Sequence, residues 1–222
     1  MRAHYLDALR GMAVIWMIIF HTTYDLRMFG YVNLNFSEGF WFAFPRIIAF
    51  TFLFCVGVSL HLAHQTKTNW TNLRKRSLKL GGASLLVSLS TYIMFPKQWI
   101  FFGTLHCILV GSLLGGMLIN RRRLAGIILT FILVAQYVFD FDIKWVSSLY
   151  PNKSLDFIPI FPWFWVILLG ILSAPYLSRI RWINKIKPSP FLNFLGQHSL
   201  TIYLLHQPVI YGTILAYTLL VS

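Results

Sequence analysis

The sequence predicts an all-α fold, a polytopic membrane helix bundle of about seven transmembrane helices with a cytoplasmic N-terminus and the C-terminus outside. Three observations predict it. Of 222 residues, 57% are hydrophobic and only 11% are charged, a balance suited to lipid rather than water. The apolar residues gather into stretches long enough, or nearly so, for the ~20 residues of a crossing helix. The loops between them alternate in basic charge, which sets an orientation. No repeat or low-complexity segment divides the chain, so residues 1–222 are read as a single integral membrane domain.

The first segment, roughly 6–25, carries its charges in a regular place. In YLDALRGMAVIWMIIFHTTYDLR, residues Asp7, Arg10, Val14, Met17, His21 and Asp25 fall on one helical face. Arg10 and His21 are then about three turns apart, roughly 16 Å along the axis, with nothing ionisable from Gly11 to Phe20. Ionisable groups inside a membrane helix cost about 2.5 kcal/mol or more, and they normally face protein or a water-filled cavity. This face therefore reads as the wall of a site open at both membrane faces. The plain alternative has Arg10 reaching for lipid headgroups and His21 capping the helix end. It explains each residue singly and not four on one face. Arg2 precedes the apolar run as in a signal peptide, but polar HTTYD follows in place of a small-x-small cleavage site, so the helix is expected to be retained.

The remaining segments run at roughly 39–63, 80–95, 99–120, 124–140, 159–177 and 198–221, the third and fifth being short. Lys67, Arg74, Lys75, Arg76 and Lys79 follow the second, Arg121, Arg122 and Arg123 the fourth, and Arg179, Arg181, Lys185 and Lys187 the sixth. With Arg2 these lie on one side, against Arg27, Lys97, Lys144 and Lys153 on the other, and the positive-inside rule puts the N-terminus in the cytoplasm. Asp25, Glu38, Asp140, Asp142 and Asp156 then fall outside, where Trp41, Trp145, Trp163 and Trp165 form an interfacial belt. A net charge of +13 suggests nucleic acid in a soluble protein, but here it reflects topology. No separate basic domain exists, so nucleic acid is set aside and the lipid bilayer is the expected partner. Cys55 and Cys107 both lie in apolar stretches, which excludes a disulfide framework or zinc-ribbon spacing; no metal is expected.

Depth can be counted from the segment ends at 1.5 Å per residue. His21, Arg46 and His106 come out at one level near the outer face. His206 comes out near mid-membrane. Arg46 follows Pro45, which can break the helix and free backbone groups for a ligand; the alternative is a structural ion pair with Asp25 or Glu38. His106 lies in FFGTLHCI, and its alternative role is an interhelical hydrogen bond. In GQHSLTIYLLHQP, Pro208 follows His206 and Gln207 and frees a carbonyl near them.

Arg10 beside Asp7 is suited to hold an anionic group, and His21 with Asp25 one turn on suits a base with its orienter. The apolar stretch between them accepts a long thin arm. A phosphorylated donor in the cytoplasm, a thioester at its tip and an acceptor outside would use all three zones, which is acyl transfer across a membrane.

LDALRGMAVIWMIIFH, FGTLHCI, the PWF of the sixth segment and GQHSLTIYLLHQP resemble bacterial members of the heparan-alpha-glucosaminide N-acetyltransferase catalytic-domain-like family, within the transmembrane acyltransferases. The resemblance covers most of the chain. It implies a small-molecule acyl donor, acetyl-CoA, used as co-substrate from the cytoplasm, and an amine or hydroxyl of an extracytoplasmic glycan-type acceptor. It also implies the bacterial cytoplasmic membrane. Arg10 and Gly11 match the family's Arg-Gly, and His106, His206 and Gln207 match the bacterial motifs. The expected catalytic residues are His21, Asp25 and His106, with His106 the rival to His21 as base. Asp7, Arg10, His206 and Gln207 are expected to bind the donor, and Arg46 and Trp163 the acceptor. The family's lysosomal member has a histidine leading into its second helix, whereas Asn33 to Gly39 here contains none. Seven spans are also fewer than that member has, which leaves a homo-oligomer open. Two other classes stay open, a transporter or channel for a small anion or proton lined by Arg10, Arg46 and the histidines, and a haem protein with His21 and His106 as axial ligands.

Overall fold

A computed structural model of the protein describes residues 4–64, 69–139, 154–180 and 189–221. Among these the regular structure is helical: α1 His4–Met28, α2 Gly39–Ala63, α3 Trp70–Met94, α4 Thr104–Leu118, α5 Arg122–Tyr137, α6 Ile160–Arg179, α7 Pro190–Gln197 and α8 Ser199–Val221. Arg2, Lys67, Asp140, Asp142, Lys144, Trp145, Lys153, Arg181, Lys185 and Lys187, which entered the expectations on orientation and the aromatic belt, lie outside the described residues.

Four helices, α1, α2, α6 and α8, are long and apolar enough to cross a membrane. The second has the limits the sequence predicts. The expected third segment is only the later half of α3, whose first turns carry Arg74, Lys75, Arg76 and Lys79. Its early start has a local cause, because the Asn69 side chain accepts the Asn72 N–H at 3.0 Å, an N-cap that satisfies one of the helix's orphan donors. At 15 and 16 residues, α4 and α5 reach about 22–24 Å, short of the ~30 Å hydrocarbon core. One helix was not anticipated: α7, eight residues long, with Ser189 at its N-cap and Pro190 in its first turn, the arrangement that a fixed proline φ and a missing N–H favour.

The chain divides into two compact units, Met1–Phe52 with Ile180–Ser222, and Leu53–Arg179. In the first, α1 packs against α7 and α8. A Cβ at Gly11 would run into the Leu192 carbonyl of α7, and one at Gly196 into the Asp7 backbone of α1. The two backbones approach as closely as small residues permit, and in lipid that packing replaces the missing hydrophobic drive. In the second unit, α3 packs on α4, and α6 packs on both α4 and α5. Gly57 of α2 and Gly170 of α6 meet backbone to backbone. Around them Leu53, Cys55, Val58, Cys107, Val166, Ile167 and Ile171 are sealed from solvent. Both cysteines are buried outside any disulfide among the described residues and serve as small core residues.

Candidate functional site

The site is built on α1 of the first unit. Asp7, Val14, Met17 and Asp25 are buried and Arg10 and His21 are half-buried, so the face picked out by the 3.6-residue period turns inward along the whole helix. Near its start the Arg10 guanidinium donates to Asp7 Oδ1 at 3.0 Å. About three turns on, His21 meets α8: its ring lies edge-on to that of His206, centroids 4.8 Å apart at 64°. One turn further, Asp25 is 1% exposed, and Gln207 Nε2 donates to both of its carboxylate oxygens at 3.0 Å. The Nε2 donor is thereby shared between the two oxygens of one carboxylate.

Two expectations change here. Asp25, expected to orient His21, is turned toward α8 and taken by Gln207; among the described residues it makes no hydrogen bond to His21. His206 and Gln207, placed at mid-membrane by counting and assigned to the donor with Arg10, lie instead at the His21 end of α1. Counting along each helix from its own end ignores the stagger between helices, and α8 starts only after the extra helix α7. Tertiary packing sets that offset.

His206 is itself 9% exposed. Its Nδ1 lies 2.7 Å from the Tyr203 carbonyl. A carbonyl only accepts, so Nδ1 carries the hydrogen and, in the neutral ring, Nε2 holds the lone pair. Among the described residues that Nε2 is buried with no hydrogen-bond partner, as is Gln207 Oε1. Beside His21 stands an aromatic cluster: Phe20 packs on the His21 ring and on Tyr24, Phe36 and Phe44, and Trp41 and Phe40 extend it. Arg46 is exposed. Its guanidinium bonds the Phe42 carbonyl and lies 3.6 Å from the Phe42 ring centroid, so it folds back on its own helix and pairs with neither Asp25 nor Glu38.

The second unit holds the other two expected residues. Trp163 is half-buried in the first turn of α6, just after the extended residue Phe161. His106 sits at the third position of α4, and both of its nitrogens are engaged. The Gly103 N–H donates to Nδ1 at 3.2 Å, so in the neutral ring the hydrogen is on Nε2, which faces Ser88 Oγ at 3.2 Å. Ser88 in turn gives its own hydrogen to the Ile100 carbonyl at 2.7 Å and is left an acceptor for the imidazole. Asp156 accepts the Thr104 N–H at 2.7 Å, completing the α4 N-terminus where the helix dipole favours a carboxylate. The polar FGTLH motif thus closes a helix end.

A family model described as heparan-alpha-glucosaminide N-acetyltransferase, catalytic, matches residues 2–208. The chain belongs to that family. Among curated proteins and solved structures, nothing matches. The match to the heparan-alpha-glucosaminide N-acetyltransferase catalytic model takes in both ends of the α1 face together with His206, Gln207 and Pro208, and it stops there. Residues that meet only in space, His21 with His206 and Asp25 with Gln207, all fall inside the matched region. Family membership and the four apolar helices make the chain an integral membrane protein.

The contacts between α1 and α8 were not anticipated from the sequence. A signal was present, since each helix carries an ionisable or amide group beside a histidine in an otherwise apolar run, and buried polar groups need partners. Only the choice of partner was missing.

Proposed function

We propose that this chain is a membrane acyltransferase that moves an acetyl group from cytoplasmic acetyl-CoA to an amine or hydroxyl of a glycan-type acceptor outside. One observation carries the reading: α1 has a charged pair at one end and a histidine cluster about three turns away, joined by an apolar face that turns inward. The Arg10 guanidinium offers fork-like donors to a phosphate of the coenzyme. The pantetheine arm, long and nearly uncharged, suits the apolar face. A histidine of the distal cluster acts as general base on the acceptor, a role worth about 10²- to 10⁴-fold in rate. Arg46 and Trp163 remain the proposed acceptor-binding residues.

The proposed setting is a bacterial cytoplasmic membrane, with seven spans, the N-terminus inside and residues 1–222 acting as one domain. Exposed apolar side chains support embedding of two of the helices that fall short on charge or length: Leu85, Leu86, Leu89 and Ile93 on α3, and Ile127, Phe131 and Val134 on α5. Such faces are costly in water and at home in lipid. His106, with both nitrogens engaged, is read as a positioning residue.

Labelled acetyl-CoA added to membranes carrying the protein tests the reading: a membrane-bound or external amine or hydroxyl should acquire the label. Arg10→Ala should raise the Kd for coenzyme A by about tenfold or more, as loss of a charge-assisted hydrogen bond implies. Absence of any labelled acceptor, with coenzyme A binding equal in both proteins, would refute it.

A further inference from the structure

Resting on that reading, we infer that His206, rather than His21, is the base that receives the acceptor's proton, and that it does so through Nε2. Four observations converge. His206 is almost wholly buried. Its Nδ1 hydrogen is committed to the Tyr203 carbonyl, which fixes the tautomer and the ring plane and leaves the Nε2 lone pair as the reactive side. That lone pair has no donor among the described residues. The Nε2 group of the adjacent Gln207 is turned to the Asp25 carboxylate instead.

A buried acceptor without a donor costs about 1–3 kcal/mol, and such atoms in native proteins call for an explanation. A histidine retained only for packing gains nothing from a polar edge in this place. A ligand that brings its own N–H or O–H satisfies it. The site thus selects for a hydrogen-donating acceptor, an amine or a hydroxyl. His21 contributes a ring wall at 4.8 Å between centroids.

The chemistry balances without an added reactant. The acceptor nitrogen or oxygen attacks the thioester carbonyl carbon while its proton passes to His206 Nε2. The tetrahedral intermediate collapses with cleavage of the carbon–sulfur bond. Coenzyme A leaves as the thiolate and takes the proton back from Nε2, so the imidazole ends neutral. Throughout, Nδ1–H stays on the Tyr203 carbonyl, which supports the ring while it is charged.

The test uses the full chain in phospholipid vesicles, with acetyl-CoA as donor, glucosamine as the acceptor probe and release of free thiol as the readout. Wild-type protein should turn over, and H206Q should be slower by about 100-fold or more, the range of a lost general base, with coenzyme A affinity within about twofold. Turnover of H206Q within about threefold of wild type, or loss in H21Q but not in H206Q, overturns the inference and leaves the acyltransferase reading standing. A wild-type protein that neither releases thiol nor binds coenzyme A overturns both. Should H206Q fail to fold, the wild-type chain answers by reaction with diethyl pyrocarbonate, which acylates imidazole lone pairs, and by mapping of the modified peptides. Carbethoxylation of His206 that coenzyme A blocks supports the inference. An unmodified His206, or one that coenzyme A does not shield, overturns it.

Discussion

His106 in the second unit and His206 in the first each lie in an apolar helix, and each gives Nδ1 to the backbone. At His106 the backbone group is a donor, the Gly103 N–H, so the ring hydrogen sits on Nε2 and goes on to Ser88. At His206 it is an acceptor, the Tyr203 carbonyl, so the ring hydrogen sits on Nδ1 and the Nε2 lone pair is buried without a partner among the described residues. One residue type thus appears as two opposite tautomers. One histidine completes a helix end and has nothing left to offer a substrate; the other is held in place by its helix and keeps its basic nitrogen free. Burial alone does not separate a structural histidine from a reactive one. The account of donors and acceptors narrows the choice, and since His64 also has Nδ1 on a backbone carbonyl and an unpartnered Nε2 among the described residues, it is the place of His206 against His21 that sets it apart.

The comparison can be broken most sharply at His206, where H206Q is expected to lose about 100-fold or more in turnover with an unchanged melting temperature. A drop in melting temperature as large as that of a core deletion would make His206 structural as well. Next is Gln207→Leu, which leaves the buried Asp25 carboxyl without its Nε2 donor. Leaving a buried polar group unsatisfied costs about 1–3 kcal/mol, and thermal melting in detergent should show it as a lower midpoint. His106→Phe sharpens the other side. It strands the Gly103 N–H, while Ser88 keeps its bond to the Ile100 carbonyl; a lost partner costs about 1–3 kcal/mol, so the melting midpoint should fall while turnover per folded molecule stays well above that of H206Q. A turnover loss equal to that of H206Q would return His106 to the chemistry. The smallest change in melting midpoint is expected at Arg46→Ala, since an exposed cation–π contact is worth about 0.5–1 kcal/mol; its effect should appear in acceptor affinity, and an unchanged affinity would remove Arg46 from the acceptor site.

A related contrast separates the two ends of α1. At the Arg10 end, the pairing with Asp7 was legible because both residues lie on one helix, three apart, and helix geometry brings such side chains together. At the His21 end, the same local rule pointed to Asp25, four residues on, and the carboxylate went elsewhere. A local rule states which groups are within reach and not which neighbour wins. Packing decides it, because α8 places the Gln207 Nε2 3.0 Å from each carboxylate oxygen.

By itself the sequence determined the helical class, the limits of α2, the inward face of α1 and the membership of the chain in its family, because hydrophobic periodicity and local motifs depend on neighbours along the chain. It also contained the signal for α7 in Ser189–Pro190. Tertiary structure alone decided which helices meet and at what stagger, and hence that His206 stands by His21 and that Gln207 clamps Asp25. Those outcomes turn on close approach at Gly11 and Gly196 and on the direction of single hydrogen bonds. A spacing of 3.6 residues per turn carries no information about either.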